Sequence, residues 1–431
     1  MVRELKHTEI GDIPVDWELQ TFDETFRVIS NNTLSRENLN NRGGAVRNIH
    51  YGDILTKFPE VLDCNEKEIP YVNELSLLSS STQLLQDGDI VVADTAEDET
   101  VGKVIEVQNL GDSKLVAGLH TIPCRVKKGD FAPGWLGYYM NSDLFHNQIL
   151  PYITGIKVSS ISKGAISETL ILVPPFDEQK KIVQSLNKIQ LLMTAETKVV
   201  NKIKLVKNGC LSKMFPQKDD TVPEMRLPGF TEAWEQRKLS DFGKATGGTS
   251  IESEFSEDGL YKVISIGSYS EDNIYRDQGI RVIDSDKTRS RVLNEGDLTM
   301  ILNDKTASGN IIGRALLIEE SGVYVYNQRT ERIEIDHDNY DSLFIYEMLN
   351  APAIRDKIIK QSQGNTQIYV NWPTISLTEY LVPQIEEQRE IGKYFSELDN
   401  LITLHQCKCD KYSNIKKGMM SDLLTGKIRL V

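Results

Sequence analysis

Two long stretches of the chain repeat apolar residues in steps of three and four. The first, residues 177–214, contains no proline and a single glycine, Gly209, and residues 386–423 repeat its pattern. At 1.5 Å per residue each predicts a helix of roughly 57 Å. Because the seams are equally long, we expect the two helices to pack on each other. The predicted seam residues are Ile182, Leu186, Ile189, Glu196, Ile203, Val206, Ile391, Phe395, Leu398, His405, Tyr412 and Ile415.

The phrase that precedes each helix occurs twice. LVPPFDEQKKI (172–182) is similar to LVPQIEEQREI (381–391), and upstream GDIVVAD (88–94) is similar to GDLTMIL (296–302). The offsets between such pairs drift between 208 and 217 and never jump. Solenoid repeats have periods of only a few tens of residues. The chain therefore contains two diverged copies of one whole domain.

The part of each copy before its helix has a mixed pattern. Short β-branched runs such as DIVVAD, KVIEV, YKVISI and ERIEI predict strands. GWLGYYMNSDLFHNQI (134–149) and SLFIYEMLNAPAIRDKII (342–359) predict helices. Since strands and helices do not alternate regularly, an α+β class is favoured over a doubly wound sheet. The predicted segments are a globule at 1–176, a helix at 177–215, a linker at 216–226, a globule at 227–385, a helix at 386–425 and a tail at 426–431.

The net charge of −14 changes this picture only a little. The first helical stretch, 177–215, carries eight lysines against three carboxylates and lies between two acidic globules. A local basic face can still hold phosphate, so net charge does not exclude nucleic acid. No apolar run reaches about 18 residues and the start has no signal core, so we expect no membrane and a cytoplasmic protein. Five cysteines then fit reduced thiols.

Several phrases resemble one family. PEMRLPGFTEAWEQRKLSDF (223–242), IGDIPVDWE (10–18) and the two VP…EQ…I phrases are similar to the DNA-specificity subunit of type I restriction-modification systems, over essentially the whole chain. The resemblance implies two target-recognition domains in a pseudo-twofold arrangement, separated by two antiparallel helices that form a coiled coil. Each domain would read one half of a bipartite, asymmetric target in double-stranded DNA. The helices would set the spacing between the halves.

The resemblance also implies partners. Two modification (methyltransferase) subunits would dock on the helices and carry S-adenosylmethionine, with which they methylate adenine. Restriction motor-nuclease subunits would bring ATP and Mg. The chain itself would bind no cofactor and would not be an enzyme.

Three other functions fit the residues less well. VPPF (173–176) looks like the NPPF signature of a stand-alone DNA adenine methyltransferase, but valine cannot hold an amino group, and TGGTS (246–250) lacks the G-x-G-x-x-G spacing. No phosphate-binding loop supports a motor or nuclease. A non-DNA coiled-coil adaptor would explain the helices but not the globules. HQCKC (405–409) cannot converge on a metal, because residues two apart diverge on a helix.

DNA contacts are predicted as regions. The first globule offers 38–52 and 154–163, and the second offers 275–291 and 363–371, where basic and amide side chains are interleaved. Arg and Gln suit base edges, and Lys suits phosphate. A solvated loop is the alternative for each. The candidates are Asn41, Arg42, Arg47, His50, Lys157, Ser159, Ser160, Lys163, Arg276, Arg281, Lys287, Arg289, Arg291, Gln363, Asn365, Gln367, Tyr369 and Asn371.

Two polar residues interrupt the seam at matching places. Glu196 and His405 lie 209 positions apart, each near the midpoint of its helix. In an antiparallel pair related by a pseudo-twofold axis, equivalent positions meet only at the midpoint. We therefore expect Glu196 and His405 to approach each other and fix the register. The alternative is that both point to water.

Overall fold

The chain forms two compact units. The computed structural model describes residues 4–155, 157–216, 220–305, 308–365 and 367–431. Unit 1 comprises residues 1–195 and 408–431, and unit 2 comprises residues 196–407. This division differs from the predicted segments, because each globule packs on one half of each long helix. Residues 217–219 of the predicted linker lie outside the described residues.

Unit 1 is built from short strands and helices. Its strands are β1 (Leu5–Thr8), β2 (Gly11–Pro14), β3 (Glu18–Thr21), β4 (Phe26–Val28), β5 (Leu39–Asn40), β6 (Arg47–Ile49), β7 (Val61–Asp63), β8 (Tyr71–Val72), β9 (Ile90–Ala93), β10 (Thr95–Ala96), β11 (Val104–Gln108), β12 (Leu115–Ala117), β13 (Thr121–Val126), β14 (Ser159–Ser160) and β15 (Leu170–Val173). Its helices are α1 (Phe22–Thr25), α2 (Tyr51–Thr56), α3 (Trp135–Tyr139), α4 (Asp143–Ile149), α5 (Lys163–Ser167) and the first half of α6 (Phe176–Lys213).

Unit 2 repeats most of this order. Its strands are β16 (Glu235–Lys238), β17 (Gly243–Gly247), β18 (Tyr261–Ile264), β19 (Arg281–Val282), β20 (Leu298–Ile301), β21 (Asn303–Asp304), β22 (Ala315–Leu317), β23 (Tyr324–Tyr326), β24 (Thr330–Ile335), β25 (Ile368–Tyr369) and β26 (Glu379–Val382). Its helices are α7 (Asp286–Arg289), α8 (Ser342–Asn350), α9 (Pro352–Ile359), α10 (Trp372–Ile375) and the first half of α11 (Ile385–Leu423).

The sheets of the two units share one topology. The larger sheet has the order β4-β13-β9-β11-β7 in unit 1 and β17-β24-β20-β22 in unit 2. The smaller sheet has the order β12-β6-β8-β5 in unit 1 and β19-β18-β23 in unit 2. Most neighbours are antiparallel, while β11 with β7, β12 with β6 and β18 with β23 are parallel. The mixed α+β class and the internal repeat are therefore confirmed.

The predicted globule helices are each broken in two. In unit 1 the Ser142 side chain accepts a hydrogen bond from the Phe145 amide and starts α4 afresh. In unit 2 the break falls at Pro352, which occupies the start of α9, where its missing N–H costs nothing. The sequence pattern ran through both breaks because the apolar faces on either side enter the same core.

A buried Glu–Gln pair anchors the start of each long helix. The Gln179 amide oxygen accepts from the Ala132 N–H at 3.0 Å, while its amide nitrogen donates to the Pro174 carbonyl at 2.8 Å. Gln388 makes the matching bonds with the Asp341 N–H and the Pro383 carbonyl, at 3.0 and 2.9 Å. The EQ dipeptide of the repeated phrase thus holds the helix on its globule.

The glutamate that precedes each of these glutamines forms an ion pair with an arginine. That arginine lies in a segment that follows one of the long helices. Arg429 donates to both carboxylate oxygens of Glu178 at 2.7 Å, and the Trp17 indole N–H donates to the same carboxylate at 3.0 Å. In unit 2 Arg226 makes the bidentate pair with Glu387, also at 2.7 Å. Bidentate pairing satisfies carboxylates that are only 2% exposed. The predicted linker, through Arg226, and the predicted tail, through Arg429, therefore each bind the start of a long helix within one unit.

The two long helices pair antiparallel within each unit. In unit 2, Cys210 lies against Tyr394 and Lys207 against Asp399, and in unit 1 Lys416 contacts Gln190. Ile182, Leu186, Ile391 and Phe395 are buried as predicted. Ile189, Ile203, Leu398 and Tyr412 are half-buried in the same stripe.

Two predicted seam residues are wrong. Val206 and Ile415 are 44% and 39% exposed. The seam advances in strict steps of four and three, so the step from Ile203 reaches Lys207 and the step from Tyr412 reaches Lys416. The prediction chose Val206 and Ile415 because they are apolar, whereas the structure places the neighbouring lysine in the seam in each case.

Those lysines occupy equivalent positions with different partners. Lys207 Nζ lies 2.8 Å from Glu347 Oε1 and 2.7 Å from an Asp399 oxygen in unit 2. Lys416 Nζ lies 2.6 Å from Glu60 Oε2 and 2.7 Å from Gln190 Oε1 in unit 1. The Glu347 side chain is only 3% exposed, against 19% for Glu60. Burial raises the pKa of Glu347 to about 7, and Lys207 acts in the opposite direction.

The predicted approach of Glu196 and His405 is confirmed. His405 Nδ1 lies 2.5 Å from Glu196 Oε2 within unit 2, and the two side chains are 19% and 17% exposed. Such a polar pair in the seam resists sliding, because a shift of one heptad would leave both groups without each other.

We expect Lys207→Met to lower the free energy of unfolding by about 3 kcal/mol at pH 8, because it leaves the Glu347 carboxylate buried without its cation. The loss should be smaller at pH 5. A raised pKa means that folded Glu347 binds a proton that the unfolded chain releases between pH 4.5 and about 7, so the folded state loses stability as pH rises through that range. Urea unfolding at both pH values measures the effect.

Lys416→Met is the matched control. Its carboxylate partner is more exposed and Gln190 is neutral, so a loss of about 1 kcal/mol with little dependence on pH is expected. Equal losses for the two variants, or a Lys207→Met loss that is the same at pH 5 and pH 8, would contradict the burial argument.

Candidate nucleic-acid interface

Each unit carries a short two-stranded ladder that pairs one predicted region with the segment that follows a strand of its larger sheet. In unit 1, β10 pairs with β14 in the register Thr95 to Ser160, and Thr154 bridges to Ser160. In unit 2, β21 pairs with β25 in the register Asn303 to Tyr369, and Gln363 bridges to Tyr369. Residues 154–160 and 363–369 therefore form equivalent hairpins.

A glycine fixes the turn of each hairpin. Gly155 has φ +116°, and a Cβ there would lie 1.9 Å from the Val158 carbonyl oxygen. Gly364 has φ +98°, and its Cβ would lie 2.2 Å from the Gln367 carbonyl oxygen. No side chain fits at such distances, so both turns depend on glycine.

The hairpins present most of the predicted polar side chains to solvent. Lys157, Lys163, Gln363, Asn365, Gln367, Tyr369 and Asn371 are exposed, and Ser159 and Ser160 are half-buried. The Tyr369 hydroxyl donates to the Gln363 side-chain oxygen at 3.2 Å, and Ser162 caps α5, which starts at Lys163. The structure thus gathers hydroxyl groups on the unit 1 ladder, and amide groups with a tyrosine hydroxyl on the unit 2 ladder. Ile156 and Thr366, within these regions, lie outside the described residues.

The region 38–52 is divided by burial. Asn41 and Arg42 are exposed in a turn that the Asn40 side chain holds by accepting from the Arg42 and Gly43 amides. Arg47 and His50 are only 8% exposed. Arg47 donates to the Cys64 carbonyl at 2.6 Å, and burial lowers the pKa of His50, whose ring accepts from the Gly52 amide. Neither can reach DNA from this position, which corrects the prediction for both.

The region 275–291 is largely neutralised by its own carboxylates. Arg281 pairs with both oxygens of Asp277, whose pKa this bonding lowers to about 2. Arg289 makes the same bidentate pair with Asp284. Cations already paired at 2.8–2.9 Å have little to gain from phosphate.

The other three cations of this region differ from one another. Arg291 donates to the Gly247 carbonyl at 2.6 Å and packs its guanidinium over the Tyr326 ring, so it holds the globule together. Lys287 is exposed and donates to the Ser253 hydroxyl at 3.2 Å. Arg276 is exposed. Among the residues that the structure describes, these last two are the exposed cations of the region that form no ion pair.

Two exposed residues beside the hairpins were missed by the sequence reasoning. His120 Nδ1 lies 3.2 Å from the Thr95 hydroxyl of β10, and the Leu302 amide, just before β21, donates to the Arg329 carbonyl. The signal that could have found them is the repeat itself, since His120 and Arg329 are 209 positions apart, like Gly155 and Gly364.

Two negative findings concern the described residues. Among them, no group of three His, Cys, Asp or Glu side chains is arranged to hold a metal ion. In the same part of the chain, no helix combines the length and apolar character that a membrane crossing needs.

Both copies of the repeat match one known protein family. Residues 14–205 and 231–411 each match the "Type I restriction modification DNA specificity domain". Two relatives come from Methanocaldococcus jannaschii. The putative type I restriction enzyme MjaX specificity subunit is 24% identical over 99% of this chain and 96% of its own length, and the MjaVIII specificity subunit is 26% identical over 64% of this chain and 66% of its own length.

Solved structures resemble the fold. A type I restriction-modification S subunit from M. genitalium has a TM-score of 0.57 and 13% identity, covering 98% of this chain and 99% of its own. A chain from a structure of type I restriction-modification complex assembly has a TM-score of 0.56 and 13% identity, covering 96% and 99%. At such identities the likeness concerns the fold alone.

We expect Gly155→Ala to open the unit 1 hairpin, because the added methyl group collides with the Val158 carbonyl. Local protection should fall by about 2 kcal/mol, or roughly 30-fold in amide exchange rate across 154–160. Gly111→Ala is the control, since Gly111 also has a positive φ but open space around its Cβ position. Faster exchange at 154–160 in the control, or unchanged exchange in Gly155→Ala, would argue against the collision.

Proposed function

We propose a function from the premise that this chain belongs to the type I restriction-modification DNA specificity family: it is the DNA specificity subunit of a type I restriction-modification complex. The observation that carries the proposal is the match of both halves of the chain to the family's specificity domain. Two related but different globules suit a target with two different halves. A dimer of identical units would instead favour a palindrome.

Each globule reads one half of a bipartite target in double-stranded DNA. The equivalent glycine hairpins support this, because their fixed turns present hydroxyl and lysine groups in unit 1 and amide and hydroxyl groups in unit 2. Amide side chains suit base edges and lysines suit phosphates. Of the predicted contacts, we retain Asn41, Arg42, Lys157, Ser159, Ser160, Lys163, Arg276, Lys287, Gln363, Asn365, Gln367, Tyr369 and Asn371.

The long helices set the spacing between the half-sites and dock the partner subunits. Exposed leucines on the helix pairs support docking. In unit 2 Leu205 is 73% exposed and Leu404 is 51% exposed, and in unit 1 Leu191 is 68% exposed. Each of these side chains would leave water if a partner subunit packed against the helices. The partners are two modification subunits and, for restriction, motor-nuclease subunits.

Catalysis belongs to those partners. S-adenosylmethionine would be held by the modification subunits, and ATP and Mg by the restriction subunits, while this chain contributes recognition. A stand-alone methyltransferase or nuclease is less well supported, because neither a cofactor loop nor a phosphate-binding loop occurs in the sequence.

Mapping of methylated adenines in the genome, with and without the gene, tests the proposal. A split motif that disappears with the gene is expected. Exchanging residues 1–170 for the same region of a family member with another target should then change one half of the motif and leave the other, because unit 1 has its own core. If both halves change together, or no motif depends on the gene, the proposal is wrong.

The spacing can be tested by inserting one heptad near the midpoint of each long helix. Seven residues in both helices preserve the seam and add about 10.5 Å of helix. At 3.4 Å per base pair we expect about three additional base pairs between unchanged half-sites. An insertion in only one helix breaks the pairing and is the control for loss of fold. A functional double insertion whose motif keeps the original spacing would show that the helices do not set it.

A further inference from the structure

Non-glycine residues with positive φ are few and informative in this chain. Among the described residues they are Asn109 (φ 56°), His120 (φ 56°), Asn273 (φ 62°) and Arg329 (φ 66°). Asparagine tolerates this conformation because its short side chain bonds locally, whereas a larger side chain is strained by its Cβ. His120 and Arg329 therefore occupy backbone positions that glycine or asparagine would fill with less strain.

The two strained residues are equivalent in the repeat. Each is the last of the three residues that connect a strand of the smaller sheet to a strand of the larger one, β12 to β13 and β23 to β24. The carbonyl of His120 accepts the Asp94 amide at 3.1 Å, and the carbonyl of Arg329 accepts the Leu302 amide at 2.9 Å. The backbone of each turn thus anchors the start of β10 or β21, next to the glycine hairpin.

These contacts involve only the backbone and do not explain the side chains. Any residue could supply the carbonyl oxygen, and glycine would supply it without strain. Both side chains are exposed, so neither fills a core. The backbone role therefore leaves the choice of a histidine and an arginine to be explained by what their side chains can contact.

The side chains have the chemistry to meet DNA. Arg329 forms no ion pair with the residues that the structure describes, unlike Arg281 and Arg289, so its guanidinium is available for a phosphate. His120 lies 3.2 Å from the Thr95 hydroxyl and 3.4 Å from the Asp94 carboxylate, and its ring packs edge-on against Tyr51. These contacts hold the imidazole in one orientation beside β10.

We propose that His120 and Arg329 are paired DNA-contact residues, one in each unit, which bind the backbone of the half-site read by the neighbouring hairpin. The proposal rests on the function proposed above and adds to it a matched contact that is held in place by a strained turn. Strained backbone at equivalent positions of two diverged copies is retained because it aims a side chain at the ligand.

Glycine substitutions at His120 and Arg329 should preserve or raise the Tm and lower the affinity for DNA. In Arg329→Gly and His120→Gly the strain is removed, so the Tm of the full chain should stay the same or rise by about 2–4 °C. Binding of a duplex with the mapped motif, by the chain purified with its modification subunits, should weaken. We expect about tenfold for Arg329→Gly, with the slope of log K against log salt reduced by about one. For His120→Gly we expect about fivefold, the weight of one neutral hydrogen bond.

Matched variants complete the test. Asn109→Gly and Asn273→Gly change the other two positive-φ residues and should leave binding unchanged, while Arg329→Lys keeps the charge and should retain most of the affinity. If the wild-type complex binds the duplex and both glycine variants bind it equally tightly, the inference about His120 and Arg329 is wrong, while the proposed function still stands. A fall in Tm that accompanies the loss of affinity would also overturn the inference, since the role would then be structural. A wild-type complex that does not bind the duplex would instead overturn the proposed function.

Discussion

The buried Glu–Gln pair at the start of each long helix is the interaction on which the rest of the structure depends. Glu178 and Gln179, like Glu387 and Gln388, are at most 2% exposed, and the contacts given above satisfy them. A buried polar group without partners would cost several kcal/mol, so the glutamine can sit only where the globule offers an N–H and a carbonyl at the right spacing. This requirement fixes where each helix leaves its globule. The register of the seam, and with it the positions of Lys207 and Lys416, follows from where each helix starts.

The two copies share their seam positions but differ in what surrounds them. Lys207 and Lys416 share a seam position, yet one meets two carboxylates and the other a carboxylate and an amide. The clefts beside them differ too. In unit 2 a cleft of about 620 Å³ is lined by Glu271, Asp272 and Glu319, whereas in unit 1 one of about 270 Å³ is lined by Lys57, Lys67 and Lys103. One seam position thus accommodates two different sets of partners.

Much of the fold could be predicted because it is written in periodic patterns. The offset of the two phrases predicts the repeat, and the steps of three and four predict the helix pair and the meeting of Glu196 with His405. Patterns of hydrophobicity cannot show a buried lysine, since its burial depends on a carboxylate that is distant in sequence, and so Val206 and Ile415 were chosen wrongly. The predicted DNA contacts of Arg47 and His50 were wrong for a related reason. Whether a loop cation faces solvent or a carbonyl depends on turn geometry, which composition does not specify.

The contact between Glu196 and His405 also bears on which helices can pair at all. Since α6 and α11 carry the same seam, each is a possible partner for its own counterpart in a second copy of the chain, and two such chains could interlock. An antiparallel pair of identical helices would bring position 196 against itself, so two carboxylates would meet, or two imidazoles at position 405. Neither pair reproduces the bond between carboxylate and ring nitrogen found within one chain. A single mismatched polar position thus disfavours self-association of a protein whose two halves would otherwise be interchangeable.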